Sequence, residues 1–491
     1  MAEVSADHYI IGNLRVRSAV IIMLARLFLI VALIAQTAFS SPSTNYSLSR
    51  ADNAFLEDLS HRAFLYFWEQ ADPTTGLVLD RARADGSAID ENHRGVASIA
   101  ATGFGLTALC IAASRGWVEP RAARDRARAT LAFFAERAPR EHGWFYHWMD
   151  ARTGERRWKS ELSSIDTALL LGGVLAARQY FRDDKEIVRL STKIYDDIDF
   201  RWMQNGHPTL LSHGWKPESG FLSSMWDTYS EHTMLYLIAI GSRRYPITPL
   251  SWRSWRRDWV TYAGYSYMSG ATPLFIHQYS HAWVDYRGLR EKSLPNINYY
   301  ENSIAATRAH RAFCLDLANE FPGYTENIWG ITASDSAKGY LAWGGPPRDP
   351  NIDGTVVPCA AAGSLMFAPN ICLPALRAMQ EKFGNSDKKI WGRYGFVDAF
   401  NPNSGWINPD VIGIDVGITL LSAENLRSGN VWRWFMRNAE IPRAMRMVGL
   451  VKETSETRRD RVRVEIPPSV GFLRRIPPTQ RLCENSKIPP T

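Results

Sequence analysis

The stretch from Val96 to Arg137 reads VASIAATGFGLTALCIAASRG up to Gly116, then Trp117 and Val118, then EPRAARDRARATLAFFAER. Its first half is apolar or small at nearly every position, so the helix it predicts has no wet face and must be buried all round. Its second half, Glu119 to Arg137, is amphipathic, with arginines along one side, and predicts a helix on the outside. One inner helix followed by one outer helix is a unit that the rest of the chain repeats in pattern, without a detectable repeat in sequence.

Upstream, Asp52 to Gln70 places Phe55, Leu59, Ala63, Phe64, Phe67 and Trp68 on one helical face, with Asp52 as its expected cap. Downstream, Ser163 to Phe181 predicts an inner helix with Asp166 in its first turn, and Asp184 to Met203 its outer partner. Ser223 to Gly241, SSMWDTYSEHTMLYLIAIG, sets Trp226, Asp227, Tyr229 and Glu231 ahead of an apolar run, as a buried helix whose first turn opens onto a cavity. Pro249 to Tyr262 is its expected outer segment. Pro273 to Tyr286, Ser303 to Glu320, Ala360 to Phe367 and Leu373 to Phe383 continue the helical pattern, and Ile412 to Glu424 with Val431 to Asn438 form a last pair. Five or six such pairs with their loops at one end predict an all-α fold over residues 50–451, a closed ring of helices or α/α toroid. Between Thr325 and Pro358 glycine and proline break every period. Trp329, Tyr340 and Trp343 mark this long loop as ordered and functional.

Of 491 residues, 45% are hydrophobic, enough for a sizeable core. The formal charge of +7 is concentrated at the ends: residues from Lys452 onward supply +4 and residues 1–40 supply +1, which leaves +2 for the body. A nucleic-acid binder would need a basic face on the folded body, and none is encoded. The five cysteines show no CxxC or metal-ligand spacing, and a Cys359 to Cys372 bridge is left open. Arg15, Arg17 and Arg26, the apolar run Leu27 to Phe39 and the small residues Ala38, Ser40 and Ser41 have the order of a secretory signal cleaved near Ser40. An uncleaved membrane anchor is the alternative, with Arg26 then inside the span, where a charge is costly. Either way the body is expected outside the cytoplasm, periplasmic or secreted. Residues 452–491 read as a disordered, basic, Pro-rich tail. GxSxG, a P-loop and a dinucleotide fingerprint are absent.

The blocks TGLVLDR (Thr75 to Arg81), ASIAATGFGLTAL, GWFYHW, SELSSIDTALLLGG, WDTYSEHTMLYLIAIGS, FIHQYSHAWVDYRG, NSIAATRAHRAFC, WGITASDSAKGY, DGTVVP, YGFVDAFN and IGIDVG occur in this order. From Phe55 to Pro442 the chain thereby resembles the glucoamylase-like glycan hydrolase family, which contains bacterial endo-β-1,2-glucanases and is related to a domain of cyclic β-1,2-glucan synthases. The resemblance implies an (α/α)6 toroid with a cleft at one end and hydrolysis of a β-linked glucan, β-1,2-glucan foremost, with inversion. It implies no cofactor. A transglycosylase or phosphorylase on the same scaffold, or a non-catalytic glycan-binding protein, are the alternatives.

Glycoside hydrolysis uses two carboxyls, one protonated to assist the leaving group and one to activate water or attack carbon. Glu231, between aromatic residues and an apolar helix, is the leading acid, and Asp166, Asp398 and Asp415 compete as its partner. Glu161 is expected to line the same mouth, and Asp227 to bind a hydroxyl or cap the helix. His277 and His281 stand at i and i+4 with Asp285 a turn on, a spacing that would also suit zinc. Without HExxH the preferred roles for His281, Asp285 and Arg287 are contacts to sugar hydroxyls, and no metal is expected. His147 of GWFYHW, Trp226, Tyr229, Tyr279, Trp329, Trp343 and Trp406 complete the candidate sugar contacts.

Overall fold

Helix α1 (Arg50–Glu69) begins at a capping box, in which Ser49 Oγ accepts the Asp52 amide at 3.0 Å and the Asp52 carboxylate accepts the Ser49 amide at 3.3 Å. Ser49 is therefore the cap and Asp52 its reciprocal partner one turn inside. In this computed structural model, which describes residues 46–294, 297–384 and 389–453, thirteen further helices follow. They are α2 (Ile99–Arg115), α3 (Pro120–Glu136), α4 (Ser164–Tyr180), α5 (Lys185–Asp197), α6 (Thr233–Gly241), α7 (Ser251–Ser254), α8 (Tyr279–Trp283), α9 (Tyr299–Asp316), α10 (Pro358–Ala362), α11 (Pro369–Phe383), α12 (Gly413–Arg427), α13 (Asn430–Met436) and α14 (Glu440–Met447).

Six of these, α2, α4, α6, α8, α10 and α12, are buried along almost their whole length. Their near-uniform apolar composition follows, since every face meets another helix. They touch in sequence: α2 lies on α4, α4 on α6, α6 on α8, and α10 on α12, which returns to α2. At the remaining junction, Gln278 Nε2 donates to Ala360 O and Ser364 Oγ, both at 2.8 Å. The α2–α4 crossing is the tightest: a Cβ on Gly173 would lie 2.0 Å from Gly103 O. Only glycine at both positions lets the two backbones approach this closely. Around this inner set lie α1, against α12 and α2, then α3, α5, α9 and α11.

The two ends of the inner helices are treated differently. At the C-terminal ends, α13, α14 and the residues between them cross underneath and bond helix carbonyls: Asn438 Nδ2 donates to Leu175 O at 3.0 Å, Trp432 Nε1 to His281 O at 2.7 Å and Arg443 to Gly241 O. Buried carbonyls left unpaired would cost stability, so this end is sealed. This corrects the expectation of a last inner and outer pair, because α13 runs across the far end of α4 and α8, and the outer neighbour of α12 is α1. At the N-terminal ends, short strands lead into the helices. Val96–Ser98, before α2, pairs with Trp148–Asp150; Leu162–Ser163, before α4, with Gly214–Lys216; Asp410–Ile412, before α12, with Arg81–Arg83.

The chain is thus largely helical, with short hairpins that the all-α expectation did not include. Pro249–Tyr262 is not an outer helix: after α7 it becomes the hairpin Trp259–Tyr262 and Tyr265–Met268, whose Tyr267 packs on Ala306 and Ala309 of α9. The long loop carries the hairpin Ser334–Ser336 and Gly339–Leu341. Cys359 and Cys372 are buried free thiols. Among the described residues no helix is long and apolar enough to cross a membrane. The secretory signal and the tail beyond Glu453 lie outside the described residues.

Candidate active site

Asp166 and Asp415 lie in the first turns of α4 and α12, and Glu231 two residues before α6. Unpaired amides and the helix dipole favour anions there, whereas burial penalises charge. Burial prevails at all three, and each carboxyl holds its proton more tightly than an ordinary carboxylic acid.

Glu231 is 7% exposed, and burial, reinforced by the charge of Asp166, pushes its carboxyl up to about 7 despite a hydrogen bond from Ser230 Oγ. Its backbone is fixed as well: Ser280 Oγ donates to Glu231 O and accepts from Met234 N at 2.8 Å. A carboxyl at about 7 is suited to proton donation at neutral pH.

Beside it, Ser163 Oγ donates to Asp166 Oδ2 at 2.5 Å, and His147 Nε2 lies 3.5 Å from Asp166 Oδ1. The other ring nitrogen of His147 lies 3.1 Å from Glu161 Oε1, and the ring stacks on Trp148 with centroids 3.6 Å apart. Burial alone would lower the imidazole, but Asp166 and Glu161 outweigh it and carry His147 to about 9. Burial likewise opposes ionisation of Glu161, yet His147 holds it at about 2. Asp166 is raised by burial against the pull of His147. The donor atoms of His147, Glu161 and Asp166 lie within 4.8 Å of one another, a spacing a divalent cation could also span.

A second group of acids stands at the start of α12. Burial and mutual repulsion push Asp398 well above the carboxylate range, and burial carries Asp415 to about 6, with the Cys359 thiol beside it at the start of α10. Asp398 Oδ2 accepts from Asp335 N at 2.9 Å and Asn408 Nδ2 at 3.0 Å. Arg81 binds Asp335 at 2.8 Å and reaches Asp410 at 3.7 Å, while Arg83 binds Asp410 at 2.8 Å. Two groups join the clusters. Asp80 accepts from Trp148 Nε1 at 3.3 Å and acts electrostatically on Asp166 and on Asp415. Tyr279, at the start of α8, feels both Asp415 and Glu231, which raise its hydroxyl after burial.

The structure therefore brings together Glu231, Asp166, Glu161, His147, Asp398, Asp415 and Tyr279. Sequence reasoning missed Asp80, Arg81, Asp335 and Cys359, although three of them lie in the quoted blocks TGLVLDR and WGITASDSAKGY. Asp227 is exposed and caps nothing, since α6 starts at Thr233 after His232. Trp226 is core, stacked on His213 and donating to Ser164 Oγ at 2.9 Å. Tyr229 is buried against Tyr299 and His277, and Trp329 is fully buried. Trp343 is also buried, with Nε1 on Ser334 Oγ at 3.1 Å. His281 is 3% exposed, bonded to Ser303 Oγ at 3.2 Å and held down to about 3 by burial, so it is a core histidine. Asp285 pairs with Arg287 at 2.8 Å beyond the C-terminal end of α8, where Arg287 covers Trp432. That is the sealed end, which removes both from the sugar-binding set. Trp406 is half-buried in the hairpin leading to Asn408 and Asp410.

A family model named Glycoamylase, described as "Putative glucoamylase", matches residues 223–439. The chain is 26% identical over 448 residues to an exo β-1,2-glucooligosaccharide sophorohydrolase acting at the non-reducing end, from Parabacteroides distasonis. That match covers 84% of this chain and 59% of the relative, so the chain spans about three fifths of its length. An endo-β-1,2-glucanase from Chitinophaga pinensis, solved with sophorotriose and glucose, superposes with a TM-score of 0.75 at 26% identity, over 82% of this chain and 98% of that one. A mutant endo-β-1,2-glucanase of Talaromyces funiculosus, solved with β-1,2-glucan, shares the fold at a TM-score of 0.60 and 13% identity, over 83% and 90% of the two chains. By this match, these relatives and the acids gathered at one helix end, the chain is similar to the glucoamylase-like glycoside hydrolases.

Proposed function

We propose that the protein hydrolyses β-1,2-glucan with inversion, on an (α/α)6 toroid spanning residues 50–451 whose six inner helices present their N-termini to the substrate. The observation that carries this reading is the division of protons between the two acid clusters. Glu231, neutral up to about pH 7, protonates the departing glycosidic oxygen. Asp415, ionised above about pH 6 and, like Glu231, acting on the Tyr279 hydroxyl, takes the proton of the attacking water. Asp398, hydrogen-bonded to Asp335 and Asn408, keeps its proton and orients Asp415. Inversion requires about 6.5–9.5 Å between the two carboxyls, room for the attacking water. The half-buried rings of Trp148 and Trp406 supply stacking faces for glucose.

The test is turnover on β-1,2-, β-1,3-, β-1,4- and α-linked glucans, with product sizing and the anomer read at first release. Release of α-configured products from β-1,2-glucan alone supports the proposal. A retained β-anomer refutes the inverting arrangement, and phosphate-dependent cleavage or growth of longer oligosaccharides refutes hydrolysis. We further propose export by the basic and apolar segment before Ser41, supported by its order of charge, apolar run and small residues. Sequencing the N-terminus of the protein from the periplasmic fraction tests this, and a start at Met1 refutes cleavage.

A further inference from the structure

The long loop between Thr325 and Pro358 carries the hairpin of Ser334–Ser336 with Gly339–Leu341, and its register decides which side chains look at the acids. Ser334 is opposite Leu341, Asp335 opposite Tyr340 and Ser336 opposite Gly339. Directly opposed residues of an antiparallel pair project from one face, with Cβ atoms about 5 Å apart, and the residues on either side project from the other. Asp335 marks the direction of its own face: its Oδ2 accepts from Arg81 Nη1 at 2.8 Å and from Asn408 Nδ2 at 2.9 Å. The same Asn408 nitrogen donates to Asp398. Tyr340 therefore stands beside Asp335 on the face turned to the acids.

The hairpin that carries Tyr340 is fixed on every side. Ser334 and Ser336 are buried on its opposite face, where Trp343 Nε1 donates to Ser334 Oγ at 3.1 Å. Ser336 Oγ closes the turn, accepting from Lys338 N at 3.0 Å and donating to Gly339 O at 2.7 Å. Asp335 N donates to Asp398 Oδ2 at 2.9 Å, and Thr332 Oγ1 accepts from Phe275 N at 3.0 Å, which ties the hairpin to the approach of α8. On this rigid mount the Tyr340 ring is 43% exposed, whereas Trp329 and Trp343 of the same loop are buried. Close by, half-buried Phe275 stacks on Tyr279, with centroids 5.0 Å apart and planes 28° apart. After burial, the groups that raise the Tyr279 hydroxyl are Asp415, Cys359, Tyr340 and Glu231, so Tyr340 shares a neighbourhood with the proposed base and the proposed acid.

We propose that Tyr340 is a substrate-binding residue, whose exposed ring receives a glucosyl unit held at the acids and fixes the plane of that sugar. Tyrosine suits the task because it offers a large, rigid, amphipathic surface with only two torsions to order on binding. The C–H face of a glucose ring packs on the aromatic plane, and a mount that does not move keeps the sugar at one height above the carboxyls. This assignment rests on the glucan-hydrolase reading of the site, and it gives the long loop a specific task within it.

The test uses full-length Glu231→Gln protein, in which binding is separated from turnover, and titration calorimetry with gluco-oligosaccharides of β-1,2, β-1,3, β-1,4 and α linkage. Adding Tyr340→Ala is expected to weaken the best-bound oligosaccharide about tenfold or more, and adding Tyr340→Phe to leave its Kd within about threefold. An unchanged Kd in Tyr340→Ala overturns the proposal, and equal losses in the two variants overturn the role of the ring. A second measurement leaves Tyr340 in place: nitration by tetranitromethane, mapped by mass spectrometry, with and without saturating oligosaccharide. Bound sugar is expected to slow nitration of Tyr340 and to leave unchanged that of Tyr245, whose ring lies beside Arg201 and Arg244. Equal nitration of Tyr340 in both conditions overturns the proposal even where Tyr340→Ala does not fold. Protection of Tyr340 by an oligosaccharide of another linkage supports its role and overturns the β-1,2 reading, whereas binding of β-1,2-linked sugar that leaves Tyr340 unprotected does the reverse. Binding of none of the oligosaccharides overturns both.

Discussion

Replacing Glu231 by glutamine separates catalysis from stability, and the structure sets both magnitudes. Glutamine has the same shape, and its carbonyl can still accept the Ser230 hydroxyl that Glu231 accepts. It cannot donate the proton, and loss of a general acid costs about 10²–10⁴ in rate. The stability effect has the opposite sign. The folded chain holds the Glu231 proton up to about pH 7 against an ordinary 4.5, so its contribution is full below 4.5 and is lost as pH rises through 7. Above pH 7 the wild type bears a buried charge at a cost of about 3 kcal/mol, which the variant escapes. Unfolding entropy of roughly 2.1 cal/mol/K per residue, over about 400 folded residues, converts this to a Tm gain of about 4 °C. Calorimetry should therefore find Glu231→Gln about 4 °C more stable than wild type at pH 8 and no more stable at pH 4, with activity reduced at least 100-fold. A Tm difference that ignores pH, or turnover near that of wild type, would refute the assignment of Glu231 as a buried acid.

Asp415→Asn should lower kcat by about 10²-fold or more while circular dichroism stays unchanged, because the amide keeps its place beside Cys359 but cannot take a proton from water. Activity retained in a folded variant would move the base elsewhere. Gly173→Ala should destabilise by about 3 kcal/mol or more, since its Cβ would lie 2.0 Å from Gly103 O and overpacking of backbone cannot be relieved by a rotamer change. Thermal unfolding measures this, and a Tm within 1 °C of wild type would contradict the close α2–α4 crossing. His281→Asn should lower Tm with KM unchanged, because the ring is buried on Ser303 away from sugar. A tenfold rise in KM would restore it to the binding set.

The inner helices could be read from sequence because burial on every face forces one composition: α2 and α4 are apolar or small almost throughout, with no polar stripe to confuse the period. The buried acids at their N-terminal ends were legible for the same reason, since a carboxyl at the start of such a run has few neighbours in sequence that could neutralise it. Aromatic residues gave no such contrast. Trp226, Tyr229 and Trp329 fill the core, whereas the half-buried Trp148 and Trp406 lie on short strands near the acids, and composition is alike in both settings. The hairpins themselves escaped because their strands are two to four residues long, too short to establish an alternating period.

What lay beyond the sequence is the set of pairings that turns separate acids into a proton-handling site. Helix register delivers Asp166 to Ser163 over three residues, a step readable from SSID alone. The ion pair of Arg81 with Asp335 joins residues 254 apart, and the strand pairing of Arg81 with Ile412 is longer still. No local pattern encodes either, because each depends on segments far apart in sequence meeting where α12 packs on α2. Such pairings also bear on ionisation: with Asp80 and Asp335 brought to Asp415, their charges add to its burial and raise its proton affinity. Glu231, the proposed acid, takes its character from local burial and one neighbouring charge, and Asp415, the proposed base, in part from Asp80 and Asp335, which are distant in sequence. A change that loosens the α12–α2 junction should accordingly lower the acidic limb of the pH profile, set by Asp415, before it moves the alkaline limb set by Glu231.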